Sequence, residues 1–194
     1  MNKSLFLIRH GQSTHNVLWE ATGRDPVIFD APLSPTGHEQ VARARPMAQR
    51  LEVDLVVTSP LTRALQTAIG LFGDAAPLLV TPLHREKLSN GCDVGSDPAR
   101  LAASFPGIEF SHLPPCWWYD HHERDPRGFA VEPAEVFAGR VGEFRQWITA
   151  RPERRIAIVG HGMFFKHLAG TMFDNCVIMA WRPGETEEIS PYAP

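Results

Sequence analysis

The segment LFLIRHGQSTHN, residues 5–16, joins a short apolar run to a group of polar residues. Its first four residues are apolar, as in a buried strand, and Arg9 and His10 follow at once. A second segment, IAIVGHGMFF at residues 156–165, ends its apolar run in the same way at His161. We therefore expect two strands that end in histidine, with the two histidines in contact.

Further apolar runs occur at residues 55–57 and 78–80, and stretches with helical spacing lie between the runs. The alternation predicts an α/β fold with a mainly parallel central sheet. The segment NCVIMAW, residues 175–181, is predicted to add a late edge strand.

The first long helix has two candidate starts. Thr36 and Glu39 have the spacing of a capping box, and Ser34 followed by Pro35 is an alternative start. The residues predicted to form the buried face of this helix are Val41, Ala44, Ala48 and Leu51.

The segment DLVVTSPLTRALQTA, residues 54–68, leads from a strand into a second helix. Ser59 is predicted as its N-cap and Pro60 as its first residue, which would put Arg63 about one turn into the helix. Further helices are predicted at about residues 98–104, 133–150 and 163–172.

The region between these elements, at about residues 84–132, is rich in Pro, Gly and Asp. We predict one domain over residues 1–194, with this region as an inserted lid, because long irregular segments in compact domains are usually functional. Its aromatic residues, Trp117, Trp118 and Tyr119, could pack the lid on the core or stack on a substrate.

Composition excludes several function classes. The chain has 194 residues, a net charge of −3 and a pI near 6.3, so it offers no basic field for nucleic acid or an anionic membrane. Its three cysteines are widely spaced, which predicts no disulfide framework. With no apolar run long enough for a signal peptide or a membrane span, we expect a cytoplasmic protein.

A zinc site is an alternative for one group of side chains, which consists of His112, Cys116, His121 and His122. Their spacing is not that of a standard zinc motif, so we expect surface histidines of the lid and no bound metal.

The polar residues at the strand ends predict an anion pocket. Ligands of open α/β sheets bind at the carboxyl ends of the strands, where Arg9, His10, Arg63 and His161 would meet. Guanidinium groups favour phosphate because they can contact two of its oxygens at once. Neutral imidazole can attack phosphorus, and Glu86, just after a strand, is the best-placed acid for the leaving group.

Four segments in order, LIRHGQSTHN, TSPLTRALQTA, LHREKL and VGHGMF, resemble the histidine phosphatase superfamily. The similarity is to the branch that includes the cofactor-dependent phosphoglycerate mutases and small phosphatases. It implies a three-layer αβα sandwich, catalysis through phosphohistidine, and no metal or other cofactor.

The resemblance also implies residue roles. His10 would be the nucleophile and Glu86 the proton donor. The residues that would hold the phosphoryl group are Arg9, Asn16, Arg63, His161 and Gly162. Asn16 could instead serve only as a helix-capping residue.

The chain departs from the mutases in the part of the insertion that follows the acid, Glu86, where the mutases carry extra, often adjacent arginines. Here Arg100, Arg124 and Arg127 are all separated. We therefore predict a phosphatase acting on a small phosphorylated substrate. The alternatives are a phosphoglycerate mutase or related phosphotransferase, and a non-catalytic phosphate-binding interaction module; the leaving group and the oligomeric state stay open.

Overall fold

The four apolar runs of the sequence form the four parallel strands of one sheet. In the computed structural model, which describes residues 3–189, these are β1 (Ser4–Arg9), β2 (Leu55–Thr58), β3 (Leu78–Val80) and β4 (Arg155–Gly160). Within these residues the sheet has six strands in the order β3-β2-β4-β1-β5-β6. The predicted mainly parallel sheet is therefore confirmed.

The last two strands run antiparallel to this core. They are β5 (Ile178–Arg182), which pairs with β1, and β6 (Glu185–Glu188), which pairs with β5. The predicted strand in NCVIMAW is therefore confirmed as β5, but its predicted edge position was wrong, because β6 covers its outer side. Gly184, at φ 92°, allows the tight turn between β5 and β6. The sequence pattern did not indicate β6, because all of its residues are exposed and most of them are charged.

Residues 3–189 contain six α-helices: α1 (Thr14–Thr22), α2 (Pro35–Arg50), α3 (Thr62–Phe72), α4 (Pro98–Ser104), α5 (Ala134–Ala150) and α6 (Gly162–Ala169). Along β1, Leu5 and Leu7 belong to the apolar cluster formed with α5 and α6, whereas Phe6 and Ile8 belong to the cluster formed with α2 and α3. Alternate side chains of a strand point to opposite faces, so helices lie on both sides of the sheet. The three-layer αβα sandwich is confirmed.

Helix α2 starts at the second of its two predicted positions. Ser34 is the N-cap, and its Oγ accepts the Gly37 N–H at 3.0 Å. The predicted face is buried at all four positions. The helices at 98–104 and 133–150 are confirmed to within a residue, and α6 ends at Ala169 because Gly170 adopts a left-handed conformation.

The predicted start of α3 was wrong. The helix begins at Thr62, and the carboxylate of Asp30 caps it by accepting the Thr62 N–H and the Thr62 hydroxyl, both at 2.8 Å. Ser59 instead accepts the Leu61 N–H. Arg63 is consequently the second residue of α3 and not one turn into it.

The segment between β3 and α5 packs against α3 through an apolar cluster that includes Leu61, Leu65, Leu101 and Trp117. The Trp117 side chain is 3% exposed, and its indole N–H donates to the Ser96 carbonyl at 2.8 Å. For Trp117 the packing alternative is therefore correct. The division into one domain with a lid at about 84–132 stays a prediction.

Within residues 3–189, no helix has the length and apolar character needed to cross a membrane.

The remote cap on α3 predicts a stability effect. Replacing Asp30 by Ala leaves the first turn of α3 without its acceptor, and we expect the free energy of unfolding to fall by about 1–2 kcal/mol in urea titrations. Asp30→Asn keeps an acceptor oxygen and should cost less. A loss for Asp30→Ala no larger than that for Asp30→Asn would show that the carboxylate does not cap the helix.

We expect His84 to make the stability of the protein depend on pH. Its ring is fully buried, its Nε2–H donates to the Val159 carbonyl at 3.0 Å, and burial lowers its pKa from 6.5 to about 3. The unfolded chain therefore binds a proton below about pH 6.5 that the folded protein does not, so this histidine makes stability fall as pH falls from 6.5 towards 3.

The measurement is urea unfolding of wild type and His84→Gln at several pH values. Glutamine keeps a donor but cannot titrate, so below about pH 6 we expect its stability to depend less steeply on pH, by up to about 1.4 kcal/mol per pH unit. Parallel pH profiles for the two proteins would refute a neutral buried His84.

Candidate active site

The ends of β1 and β4 bring two histidines together. These strands pair in parallel with Arg9 opposite Gly160, and the His10 N–H donates to the Gly160 carbonyl at 3.0 Å. The next residues along the two strands are therefore neighbours. The rings of His10 and His161 have centroids 5.2 Å apart, as the repeated sequence pattern predicts.

The hydrogen bonds of His10 define its tautomer. Nδ1 lies 2.7 Å from the Gly11 carbonyl, which can only accept, so Nδ1 carries the proton. Nε2 then carries the lone pair and accepts from Nε of Arg63 at 3.2 Å. Burial, together with the charges of Arg63 and Arg9, holds the pKa of His10 well below its usual value. His10 is thus a neutral imidazole with Nε2 turned towards Arg63.

Arg63 is buried beside this nitrogen and is held by a carboxylate. Its Nη2 donates to Oδ1 of Asp93 at 3.0 Å, and its Nη1 donates to the Cys92 carbonyl at 2.5 Å. The other oxygen of Asp93 accepts the N–H groups of Ser89 and Asn90. A buried guanidinium needs such a partner, because an unpaired buried charge is very costly.

Arg9 and His161 carry polar atoms that have no partner within residues 3–189. Arg9 binds the Phe173 carbonyl through Nη1 at 2.9 Å, while its buried Nε is unpaired and lies against Gly162. Both ring nitrogens of the fully buried His161 are also unpaired. Buried polar groups normally have partners, so these atoms next to His10 suit an anion.

Gly162 adds a backbone donor to the pocket. As the first residue of α6, it has an N–H with no partner inside the helix, and the positive end of the helix dipole lies at the same place. All four cationic or imidazole side chains predicted for the site, and Gly162, therefore lie at one edge of the sheet.

Glu86 lies at the same helix end. Its carboxylate accepts the N–H groups of Met163 and Phe164, each at 3.0 Å, directly after His161 and Gly162. Burial, followed by the charge of Asp93, raises its pKa above the usual value. A carboxyl group with a raised pKa next to an anion pocket can act as a proton donor.

Asn16 has the capping role that was its alternative reading. Its Oδ1 accepts from the Ser13 N–H at 2.9 Å and from the Ser13 hydroxyl at 3.0 Å, which closes a capping box at the start of α1. The amide Nδ2 makes no hydrogen bond to another described residue, so a donor role towards phosphate stays a prediction.

The zinc alternative finds no support in the geometry. The ring of His112 bonds the Val80 carbonyl at 2.8 Å, while His121 and His122 lie against each other. The part of the chain that the structure describes holds no group of three metal-ligating side chains.

Sequence reasoning missed several residues that hold the pocket. Asp93 fixes Arg63, Thr67 accepts the Gly11 N–H at 3.0 Å, and the Asn175 amide donates to the His10 carbonyl at 2.6 Å. Each lies on a different element from its partner, so no local pattern marks it. A buried arginine does imply a carboxylate nearby, but not which one.

Known proteins are similar to this chain in sequence and in fold. The chain is 33% identical to a phosphoglycerate mutase-like protein of Arabidopsis thaliana, over 90% of this chain and 76% of that protein. It is 27% identical to glucosyl-3-phosphoglycerate phosphatase of Mycobacterium tuberculosis, over 88% and 75% of the two chains. A solved structure of mycobacterial glucosyl-3-phosphoglycerate phosphatase has the same fold, with a TM-score of 0.58 at 20% identity and coverage of 96% and 97%.

The model of the histidine phosphatase superfamily (branch 1) matches residues 5–184, a range that includes every predicted site residue. The chain belongs to the histidine phosphatase superfamily.

Proposed function

We propose that this protein is a phosphatase that hydrolyses small phosphomonoesters through a phosphohistidine on His10, without a metal ion. The observation that carries the proposal is the state of His10: a neutral ring whose proton is held on Nδ1 by the Gly11 carbonyl and whose Nε2 faces Arg63. A nucleophilic histidine needs this arrangement.

In the first step, Nε2 of His10 attacks phosphorus and the bond to the ester oxygen breaks. The Arg63 Nε–H, which donates to Nε2 in the structure, is placed to turn to a phosphoryl oxygen. Arg9 and His161 supply the unpaired polar atoms around it. Fixed donors of this kind stabilise charge in the transition state without the cost of reorganising water.

The leaving oxygen then needs a proton, and Glu86 is the candidate donor. Its carboxyl group lies at the start of α6, next to His161, and its pKa is raised by burial and by the charge of Asp93. In the second step the ionised Glu86 accepts a proton from water, whose oxygen attacks phosphorus and releases phosphate and neutral His10. The two steps together hydrolyse one ester and regenerate both groups.

Three arginines that follow Glu86 in the insertion favour a phosphatase over a mutase. Arg127 is held by Asp25 and Asp125, Arg124 pairs with Asp120, and Arg100 lies exposed on α4. None of the three is an unpaired buried cation, so they offer no built site for the carboxylate of a phosphoglycerate. We propose that the segment at 84–132 acts as a lid that leaves water access to phosphohistidine.

The first test compares wild type with His10→Ala on a panel of phosphomonoesters, with a chelator present. We expect wild type to release phosphate and His10→Ala to lose about 10⁴-fold or more in kcat, since the covalent route is removed. His112→Ala, which changes a histidine outside the pocket, is the matched control and should retain activity.

Two results would contradict the proposal. Phosphate release that survives in His10→Ala would rule out His10 as the nucleophile. Isomerised product without free phosphate would favour a mutase.

We expect Asp93 to affect the pH range over which the protein is active. Its negative charge raises the pKa of Glu86, after the larger effect of burial, so Asp93→Asn should lower that pKa. Glu86 would then lose its proton at a lower pH, and the basic limb of the kcat/KM profile should shift towards acid.

The matched control for this change is Asp125→Asn, which removes a carboxylate that pairs with Arg127 and not with Arg63. Its profile should keep the wild-type basic limb. An unshifted limb in Asp93→Asn would mean that Glu86 is not the group that governs it.

A further inference from the structure

A buried ion pair lies beneath the segment that carries Glu86. It joins Glu132, at the end of the insertion, to Arg140, in the middle of α5. The guanidinium contacts both carboxylate oxygens, at 2.7 Å from Nη2 to Oε2 and at 3.1 Å from Nε to Oε1. The Glu132 side chain is 0% exposed and that of Arg140 is 7% exposed, so the pair is almost fully removed from solvent.

The same pair binds the backbone on both sides of Glu86. Arg140 donates to the carbonyls of Leu83 at 3.1 Å, Arg85 at 2.7 Å and Glu86 at 3.3 Å. Oε2 of Glu132 accepts the Leu88 N–H at 3.2 Å. Four of the six residues from 83 to 88 are therefore fixed by two side chains.

These contacts matter because residues 85–88 belong to no helix or strand. A buried backbone needs partners, and here the ion pair supplies them where a sheet or helix would otherwise do so. Arg140 lies on a well-packed part of α5, since its neighbours Phe137, Val141 and Phe144 are buried in the core.

Stability alone is a weak explanation for such a pair. Desolvation of two charges offsets much of their attraction, and apolar residues of similar volume often stabilise a protein as well or better. What apolar side chains could not do is bind three carbonyls and an N–H group of one short segment.

We propose that Arg140 and Glu132 are positioning residues that hold the carboxyl group of Glu86 at the start of α6, where it can protonate the leaving oxygen. The proposal rests on the proposed function, in which Glu86 is the proton donor. Displacing a catalytic group by about 1 Å can cost up to about 100-fold in rate, so the effect should be measurable.

The leaving group separates positioning from general structural damage. Nitrophenolate leaves as a stable anion and gains little from a proton donor, whereas the alkoxide leaving from glycerol 2-phosphate needs the proton. A variant that misplaces Glu86 should therefore lose activity on glycerol 2-phosphate and largely keep it on p-nitrophenyl phosphate. A variant that merely weakens the fold should lose both equally.

The experiment measures kcat/KM on these two esters for wild type, Glu86→Gln, Arg140→Met and Glu132→Gln. We expect the ratio of glycerol 2-phosphate to p-nitrophenyl phosphate activity to fall about 100-fold or more in Glu86→Gln and about 10- to 100-fold in the other two variants. Arg140→Lys keeps the charge but not the fork of donors and should give a smaller fall, which also serves if Arg140→Met does not fold.

Two variants of α5 are the controls. Arg145→Met removes an arginine that binds the Leu168 carbonyl, far along α6 from Glu86, and Ile148→Ala weakens the core near the end of α5 while leaving the hydrogen bonds of Arg140 and Glu132 in place. Both should leave the ratio at its wild-type value even where thermal stability falls.

The outcomes are distinguishable. A selective fall in Glu86→Gln with an unchanged ratio in the folded Arg140 and Glu132 variants would overturn the positioning role and leave the proposed function intact. An unchanged ratio in Glu86→Gln itself would overturn Glu86 as the donor and the positioning role with it. A fall in the activity ratio in Glu86→Gln, Arg140→Met and Glu132→Gln, with an unchanged ratio in the two control variants, would support both the proposed function and the positioning role.

Discussion

Parallel pairing of β1 with β4 sets the register on which the whole site depends. Arg9 lies opposite Gly160, so the residues that follow, His10 and His161, leave the sheet side by side. A shift of one residue in this pairing would move every side chain of the strand to the other face and separate the rings. Both faces of β1 are buried, with Leu5 and Leu7 against α5 and α6 and with Phe6 and Ile8 against α2 and α3, so the strand that leads into His10 is part of the core.

Electrostatics within the pocket follow from burial. Two arginines and two histidines lie together at one sheet edge, and both histidines are kept neutral, since burial and then the charge of Arg63 lower their pKa values. Asp93 balances Arg63 and at the same time raises the pKa of Glu86. One carboxylate thus keeps a cation in place and favours the protonated form of the second carboxyl group, which is the form that the proposed proton donor needs.

Much of the fold and of the site could be predicted from the sequence, because polar side chains that suit catalysis directly follow the apolar runs. His10 and His161 follow apolar runs, so their meeting needs only the rule that parallel strands end at one edge. Contacts across the chain were not predictable in the same way. The cap on α3 comes from Asp30, the partner of Arg63 comes from Asp93, and the support of Glu86 comes from Arg140 and Glu132. Local patterns favoured Ser59 as the cap, and a distant carboxylate took its place.

In the proposed reaction, Nε2 of His10 takes the phosphoryl group. The most direct measurement is to mix the enzyme with a phosphomonoester, quench in base within one turnover, and locate the phosphoryl group by mass spectrometry and phosphorus NMR. We expect a phosphoramidate on Nε2 of His10, because Nδ1 is protonated and bound to the Gly11 carbonyl. Phosphate on His161, or turnover with no phosphorylated histidine under conditions that preserve one, would contradict it.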